Sequence, residues 1–232
     1  MLPRAPAAVV FDMDGLLFDT ETLYARAIMS AAGELGCGMT TELFHSFVGT
    51  PWQENRRQMI AHYGEAYPAD ELRLAWMRHF DVLAAAELEL KAGALDLLAT
   101  LDELGLPRAI ATSSSHATVR HHLTAHDLTV RFHEIVAQGD YASAKPAPDP
   151  FLRAAERLKV DPRDCLALED SLNGVRSASA AGMMTVMVPD LIQPTDEIRG
   201  LCTLLAASLH EVRDLIVATL LPSRPASAAA SS

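Results

Sequence analysis

The sequence predicts an α/β protein, a doubly wound parallel sheet into which a block of helices is inserted, and three observations predict it. Short apolar and β-branched runs at residues 9–11, 108–112, 133–137, 165–168 and 184–188 alternate with stretches of helical period, the rhythm of βα units in a parallel sheet. Between the first and second runs, residues 20–88 show no strand-like alternation at all. The chain of 232 residues is 50% hydrophobic with a mean hydropathy of +0.12, enough for one large core or for a domain with an insertion.

Each element has a local reason. Residues 1–6, with Pro3 and Pro6, form a loose lead-in to the strand at Val9, Val10 and Phe11. From residue 20 to 88 the apolar side chains fall at helical spacing, first Leu23, Ala27, Ile28 and Ala31, later Leu72, Ala75, Trp76, Phe80 and Leu83. Breaks at 36–38, 49–51 and 64–68 divide the block into about four helices. An amphipathic helix at 93–104 is closed by Gly105, and Pro107 starts the next strand. A helix at 117–126 leads to the strand at 133–137, and Asp149-Pro150 supplies an N-cap and first-turn proline for a helix to Leu158. The strand at 165–168, a helix at 171–181 ended by Gly182, the strand at 184–188 and a last helix at 209–220 complete the pattern. The expected division is a core of residues 1–17 and 90–221, an insertion at 18–89, and a flexible Ser-, Ala- and Pro-rich tail at 222–232.

Composition excludes several partners. A net charge of −11 and a pI near 5.2 argue against a surface that wraps nucleic acid or anionic lipid, so an anionic ligand needs a local cluster. Cys37, Cys165 and Cys202 are odd in number and lack a CxxC pair, as reduced thiols of a cytoplasmic protein would. With no signal peptide and no apolar run of about twenty residues, a soluble, cytoplasmic monomer is the expectation.

The chemistry gathers where strands stop. The first strand ends on Asp12-Met13-Asp14-Gly15, and residues two apart on extended backbone face the same side. Two adjacent carboxylates demand a counter-charge, and a hard divalent cation such as magnesium suits oxygen ligands; a turn stabilised by Asp side chains explains the same motif equally well. In an open α/β sheet, ligands bind beyond the carboxyl ends of the strands. The other strand ends carry Thr112-Ser113-Ser114, Lys145 in a proline-stiffened loop, and Glu169-Asp170. Four acids, hydroxyls, an ammonium and Mg²⁺ suit a phosphoryl group, because a carboxylate approaches a phosphate dianion only when its charge is shielded. Asp12 would be the nucleophile, and Asp14 would give a proton to the leaving oxygen and later take one from water.

On these residues the chain resembles the haloacid dehalogenase (HAD) superfamily of phosphatases and phosphotransferases, whose core is a Rossmann-like sheet with a helical cap. The likeness rests on Asp12-Met13-Asp14-Gly15, on Ala109-Ile110-Ala111-Thr112, on Lys145-Pro146-Ala147-Pro148-Asp149-Pro150, and on Glu169-Asp170-Ser171 followed by Asn173-Gly174. It implies Asp12 as nucleophile and metal ligand, and Asp14 as general acid/base with its backbone carbonyl on the metal. Asp170 would complete the protein ligands, Glu169 acting directly or through water. Thr112, the backbone of Ser113, and Lys145 would bind phosphoryl oxygens. Within the superfamily the sequence is similar to sugar-phosphate phosphatases and to pseudouridine 5'-phosphatase, so a small-molecule phosphomonoester is the implied substrate.

Other activities in the superfamily set alternatives. β-Phosphoglucomutase shares the motifs and the cap, but Tyr24 stands here where such mutases carry a histidine, and the segment around Gly49 lacks their cap arginine, for which Arg56 or Arg57 would have to substitute. Phosphonatases need a cap lysine, and none occurs between Leu17 and Leu90. The complete acid set argues against carbon–halogen chemistry. A non-catalytic binding protein on the same fold would tolerate loss of Asp12 or Asp14, and neither is lost. Specificity positions are expected at Glu21, Tyr24, Gly49, Trp52, Arg56 and His116, each with a purely structural alternative. His121, His122 and His126 read as a solvated helix face.

Overall fold

A computed structural model describes residues 1–47, 50 and 52–221. Strands β1 (Ala8–Phe11), β2 (Arg108–Ser115), β3 (Glu134–Gln138), β4 (Cys165–Glu169), β5 (Met184–Met187) and β6 (Leu204–Leu205) form one sheet in the order β3-β2-β1-β4-β5-β6. Every pairing is parallel. The chain winds one way from β1 through β3 and the other way from β4 through β6, so strand order reverses between β1 and β4, where Phe11 pairs with Leu168.

Strand parity sorts the core into two layers. Val9 and Phe11 of β1 pack with Ile110, Leu166, Leu168 and Val186, under helices α5 (Ala94–Glu103), α6 (His116–Ala125) and α10 (Leu209–Leu220). Ala8 and Val10 point the other way, against Phe151, Ala154 and Ala155 of α7 (Asp149–Leu158) and Ala178 of α8 (Leu172–Ala180). All four β1 side chains are fully buried, at about 1.5–3 kcal/mol for each large one, which is why the run has no polar face.

Among the described residues, four helices stand between β1 and α5: α1 (Thr20–Leu35), α2 (Thr41–His45), α3 (Trp52–Tyr63) and α4 (Ala69–Glu87). They share their own apolar cluster of Ile28, Ala31, Phe44, Phe47, Met59, Leu72 and Ala75. The two chain crossings into this block lie side by side, Asp19 N–H donating to Glu89 O and Lys91 N–H to Leu17 O. No helix among the described residues is long and apolar enough to cross a membrane. The expected tail at 222–232 lies outside the described residues.

Several boundaries differ from the sequence reading. β2 runs to Ser115 rather than Thr112, and Ser115 then caps α6, its Oγ accepting from Thr118 N at 3.2 Å. Asp149 is the first residue of α7 rather than its cap; its carboxylate turns back to accept from Ser143 N at 3.1 Å. Helix α9 (Asp196–Leu201) and the short β6 went unread, because six and two residues are too few to display a period.

Candidate active site

Asp12, Lys145, Glu169 and Asp170 converge at the carboxyl ends of β1 and β4, beside the reversal of strand order, with Thr112 on the neighbouring strand β2. Asp12 N–H donates to Leu168 O at 2.9 Å, which continues the β1–β4 ladder and puts Asp12 next to Glu169. The Lys145 ammonium lies 2.5 Å from both Asp12 Oδ1 and Glu169 Oε1. Its loop arrives just before α7, and Nζ also sits 4.9 Å from the centre of the Phe151 ring. Asp12 is 7% exposed, Asp170 6% and Glu169 0%.

Glu169 is held on every side. Its second oxygen, Oε2, accepts from Asp170 N at 3.0 Å, Ser171 N at 2.9 Å and Ser171 Oγ at 3.0 Å. Two glycines make room for the acids. Gly15 has φ +82°, and a Cβ there would lie 2.3 Å from Asp170 Oδ2, while a Cβ on Gly174 would lie 1.7 Å from Glu169 Oε1. Both glycines belong to the sequence motifs, and the close approach is their physical reason.

The electrostatics are those of an acid cluster short of positive charge. Burial pushes Asp12 up to about 8, the nearby Lys145 ammonium opposing and Glu169 and Asp14 adding to it. Burial, then Glu169 and Asp12, hold Asp170 well above the usual carboxylate range. Burial alone would lower Lys145, but its two carboxylates outweigh that and raise it. Asp12, Glu169 and Asp170 each offer an oxygen within 4.8 Å of the others, and Asp170 Oδ1 is buried without a hydrogen-bond partner among the described residues. An orphaned carboxylate oxygen among three acids fits a hard divalent cation.

The hydroxyl run sits opposite. Between Ala111 and Ser115 the β2–β3 register shifts, so Thr112, Ser113 and Ser114 leave the regular ladder at the strand tip. Thr112 is buried, its carbonyl accepting from Tyr141 OH at 3.1 Å and its Oγ1 from Ser114 N at 3.0 Å, while Ser113 is exposed. Ser114 Oγ donates to Asp14 Oδ2 at 2.7 Å. In the sequence Ser114 stands out only as one member of the Thr112-Ser113-Ser114 run.

The expected specificity positions part company. Glu21 and Tyr24 line a cavity of about 160 Å³ with Phe44, Phe47, Thr50, Asn55 and Trp76. Tyr24 stacks on Phe80 at 3.8 Å between ring centres, and burial, with Asp14 and Asp190 nearby, pushes Glu21 up to about 7. Trp52 and Arg56 are not among the cavity's lining residues: Trp52 packs under the Arg73 guanidinium at 4.9 Å, and Arg56 pairs with Asp70 at 3.0 Å. His116 pairs with Asp140 at 2.9 Å, and Gly49 lies outside the described residues. Asn55 was missed, although a polar residue on the Trp52, Asn55, Met59 face of α3 is the signal that finds it. His122 corrects the expectation of a solvated face, for it is buried against Phe18 and Phe80.

A family model described as "Haloacid dehalogenase-like hydrolase" matches residues 9–188. Protein CbbY of Cupriavidus necator is 35% identical over 215 residues, covering 83% of this chain and 82% of that one. A Drosophila melanogaster protein described as "Probable pseudouridine-5'-phosphatase" is 37% identical over 193 residues, covering 78% and 80%. CbbY from Rhodobacter sphaeroides, solved with phosphate and, as a mutant, with xylulose-(1,5)bisphosphate, superposes with a TM-score of 0.74 at 30% identity over 89% of this chain and 96% of that one.

Proposed function

The chain belongs to the haloacid dehalogenase-like hydrolase family, and on that premise we propose that it is a magnesium-dependent phosphatase of small sugar or nucleoside monophosphates, working through an aspartyl-phosphate on Asp12. One observation carries the reading: a single buried ammonium, Lys145, bridges Asp12 and Glu169 while Asp170 Oδ1 beside them has no hydrogen-bond partner among the described residues. One positive charge among three buried acids leaves room for a dication. Names of similar proteins point the same way, since they include a phosphatase and a protein crystallised with a sugar bisphosphate.

Asp12, Asp170 and the Asp14 carbonyl would hold the Mg²⁺ ion. Glu169, both of whose oxygens are already engaged, suits action through water and as the anchor of Lys145. The ion supplies charge neutralisation at the phosphoryl oxygens. Thr112 Oγ1, the Ser113 backbone and Lys145 orient those oxygens. An Asp12 oxygen bonds to phosphorus as the bond to the leaving oxygen breaks, and that oxygen keeps the electron pair and takes a proton from Asp14. In the second half Asp14 recovers a proton from water as the water oxygen attacks phosphorus and the Asp12–phosphorus bond opens, releasing phosphate.

The helices at 18–89 act in this reading as a cap over a core of 1–17 and 90–221, and Glu21 and Tyr24 read the leaving group from it. A cytoplasmic monomer suits three free thiols. A mutase is the less favoured reading because both arginines that would grip a second phosphate are engaged, Arg56 with Asp70 and Arg57 with Glu54. The test is phosphate release from a panel of sugar and nucleoside monophosphates with Mg²⁺ and with chelator. Metal-dependent release is expected; no release from any member would end the proposal. Turnover of β-glucose 1-phosphate only with added glucose 1,6-bisphosphate would turn it into the mutase.

A further inference from the structure

We infer that Ser114 is a positioning residue that decides which oxygen of Asp14 carries the transferable proton. This rests on the reading of Asp14 as the general acid and base given above. Ser114 Oγ donates to Asp14 Oδ2 at 2.7 Å, across one hundred residues of chain, while Asp14 Oδ1 is buried with no hydrogen-bond partner among the described residues. The two oxygens of one carboxyl group therefore stand in different surroundings.

The difference has a chemical consequence. In a protonated carboxyl group the carbonyl oxygen is the good acceptor and the hydroxyl oxygen the donor. With Oδ2 accepting from Ser114, the proton resides on Oδ1, the oxygen that no other described group engages. Without the serine the carboxyl group turns about its last torsion, a broad and roughly two-fold well, and half of its orientations place the proton on the wrong side. Ser114 is itself fixed at both ends, its N–H donating to Thr112 Oγ1 at 3.0 Å and the next residue, Ser115, capping α6 through Thr118 N. The irregular register of β2 is what brings it there. The same short segment thus sets the hydroxyl proposed to bind phosphate and the acid proposed to protonate the leaving group.

The role has a signature that a structural serine lacks. As the Asp12 oxygen bonds to phosphorus, the departing oxygen needs the Asp14 proton in proportion to its own basicity. The experiment measures kcat/KM with Mg²⁺ for p-nitrophenyl, phenyl and p-methoxyphenyl phosphate, in wild type, Ser114→Ala, Ser114→Thr and Asp14→Ala. Ser114→Ala is expected to lower phenyl and p-methoxyphenyl phosphate turnover roughly tenfold more than p-nitrophenyl phosphate turnover, and Ser114→Thr, which keeps the hydroxyl, to restore the wild-type dependence. Should Asp14→Ala steepen the dependence on the leaving group while Ser114→Ala leaves it parallel to wild type, the inference is overturned and the acid role of Asp14 survives. An unaltered dependence in Asp14→Ala would remove that acid role, and the inference with it.

Discussion

Gly174 faces the Glu169 carboxylate so closely that a Cβ on the glycine would lie 1.7 Å from Oε1 and 1.8 Å from Cδ. Glu169 has nowhere to retreat, because it is fully buried, pairs with Lys145, and accepts from Asp170 N, Ser171 N and Ser171 Oγ. Gly174→Ala must push the carboxylate or the start of α8 aside, and either movement carries Lys145 and Asp170 with it. Thermal melting should show a loss of about 1–3 kcal/mol, as for overpacked cores, and kcat/KM should fall at least about a hundredfold, since misplacements near 1 Å have that effect. A variant that melts and turns over like wild type would mean that the α8 start shifts freely.

Asp12→Asn keeps the size of the side chain and removes its nucleophilicity. Phosphate release should drop by about 10⁴-fold or more, the scale of losing a nucleophile, with the far-UV circular dichroism of wild type. Activity above about a hundredth of wild type would contradict a covalent intermediate on this residue.

Glu21 gives a pH signature at the edge of the acid cluster. Its carboxyl is raised to about 7 in the folded chain, by burial first and then by Asp14 and Asp190. A carboxyl that binds its proton more tightly folded than unfolded adds stability at pH below its unfolded value, and that contribution is lost as pH climbs toward 7. Glu21→Gln cannot ionise. The variant's denaturation midpoint, relative to wild type, should therefore rise between about pH 4.5 and pH 7 and then level off. A constant difference across that window would show that Glu21 is not held in this way.

Arg56→Ala separates the cavity from its neighbourhood. The guanidinium pairs with Asp70 with both side chains largely exposed, so its removal should cost less than about 1 kcal/mol. Sugar-phosphate kcat/KM should stay within about threefold of wild type, since surface changes away from a site have little effect, whereas Tyr24→Ala should alter the order of preferred substrates. A selective loss toward bisphosphorylated substrates in Arg56→Ala would instead revive the mutase.

How far the site was legible depended on sequence distance. Asp12 and Asp14 could be read because two-residue spacing on a strand is a local fact, and Met13 packs oppositely with Phe11 as that spacing requires. Lys145 could be read because it is rare and its loop is stiffened by proline. Trp52 and Arg56 lie outside the cavity because they engage Arg73 and Asp70 on the next helix, partners 21 and 14 residues away that a local pattern cannot show. His122 misled because a solvated face and a buried one share the same i, i+4 spacing until the partner ring is known.

The sequence by itself determined the alternation of strands and helices, the inserted block, and the four motifs proposed to make a phosphoryl site, since these follow from short-range periodicity and residue chemistry. The tertiary structure alone decided that Ser114 reaches Asp14, that two glycines stand against Asp170 and Glu169, and that Glu21 and Tyr24 share a cavity with Asn55. The physical reason is that a hydrogen bond of 2.7 Å between residues one hundred positions apart depends on the register of a parallel sheet, and register is fixed by the packing of both its faces together.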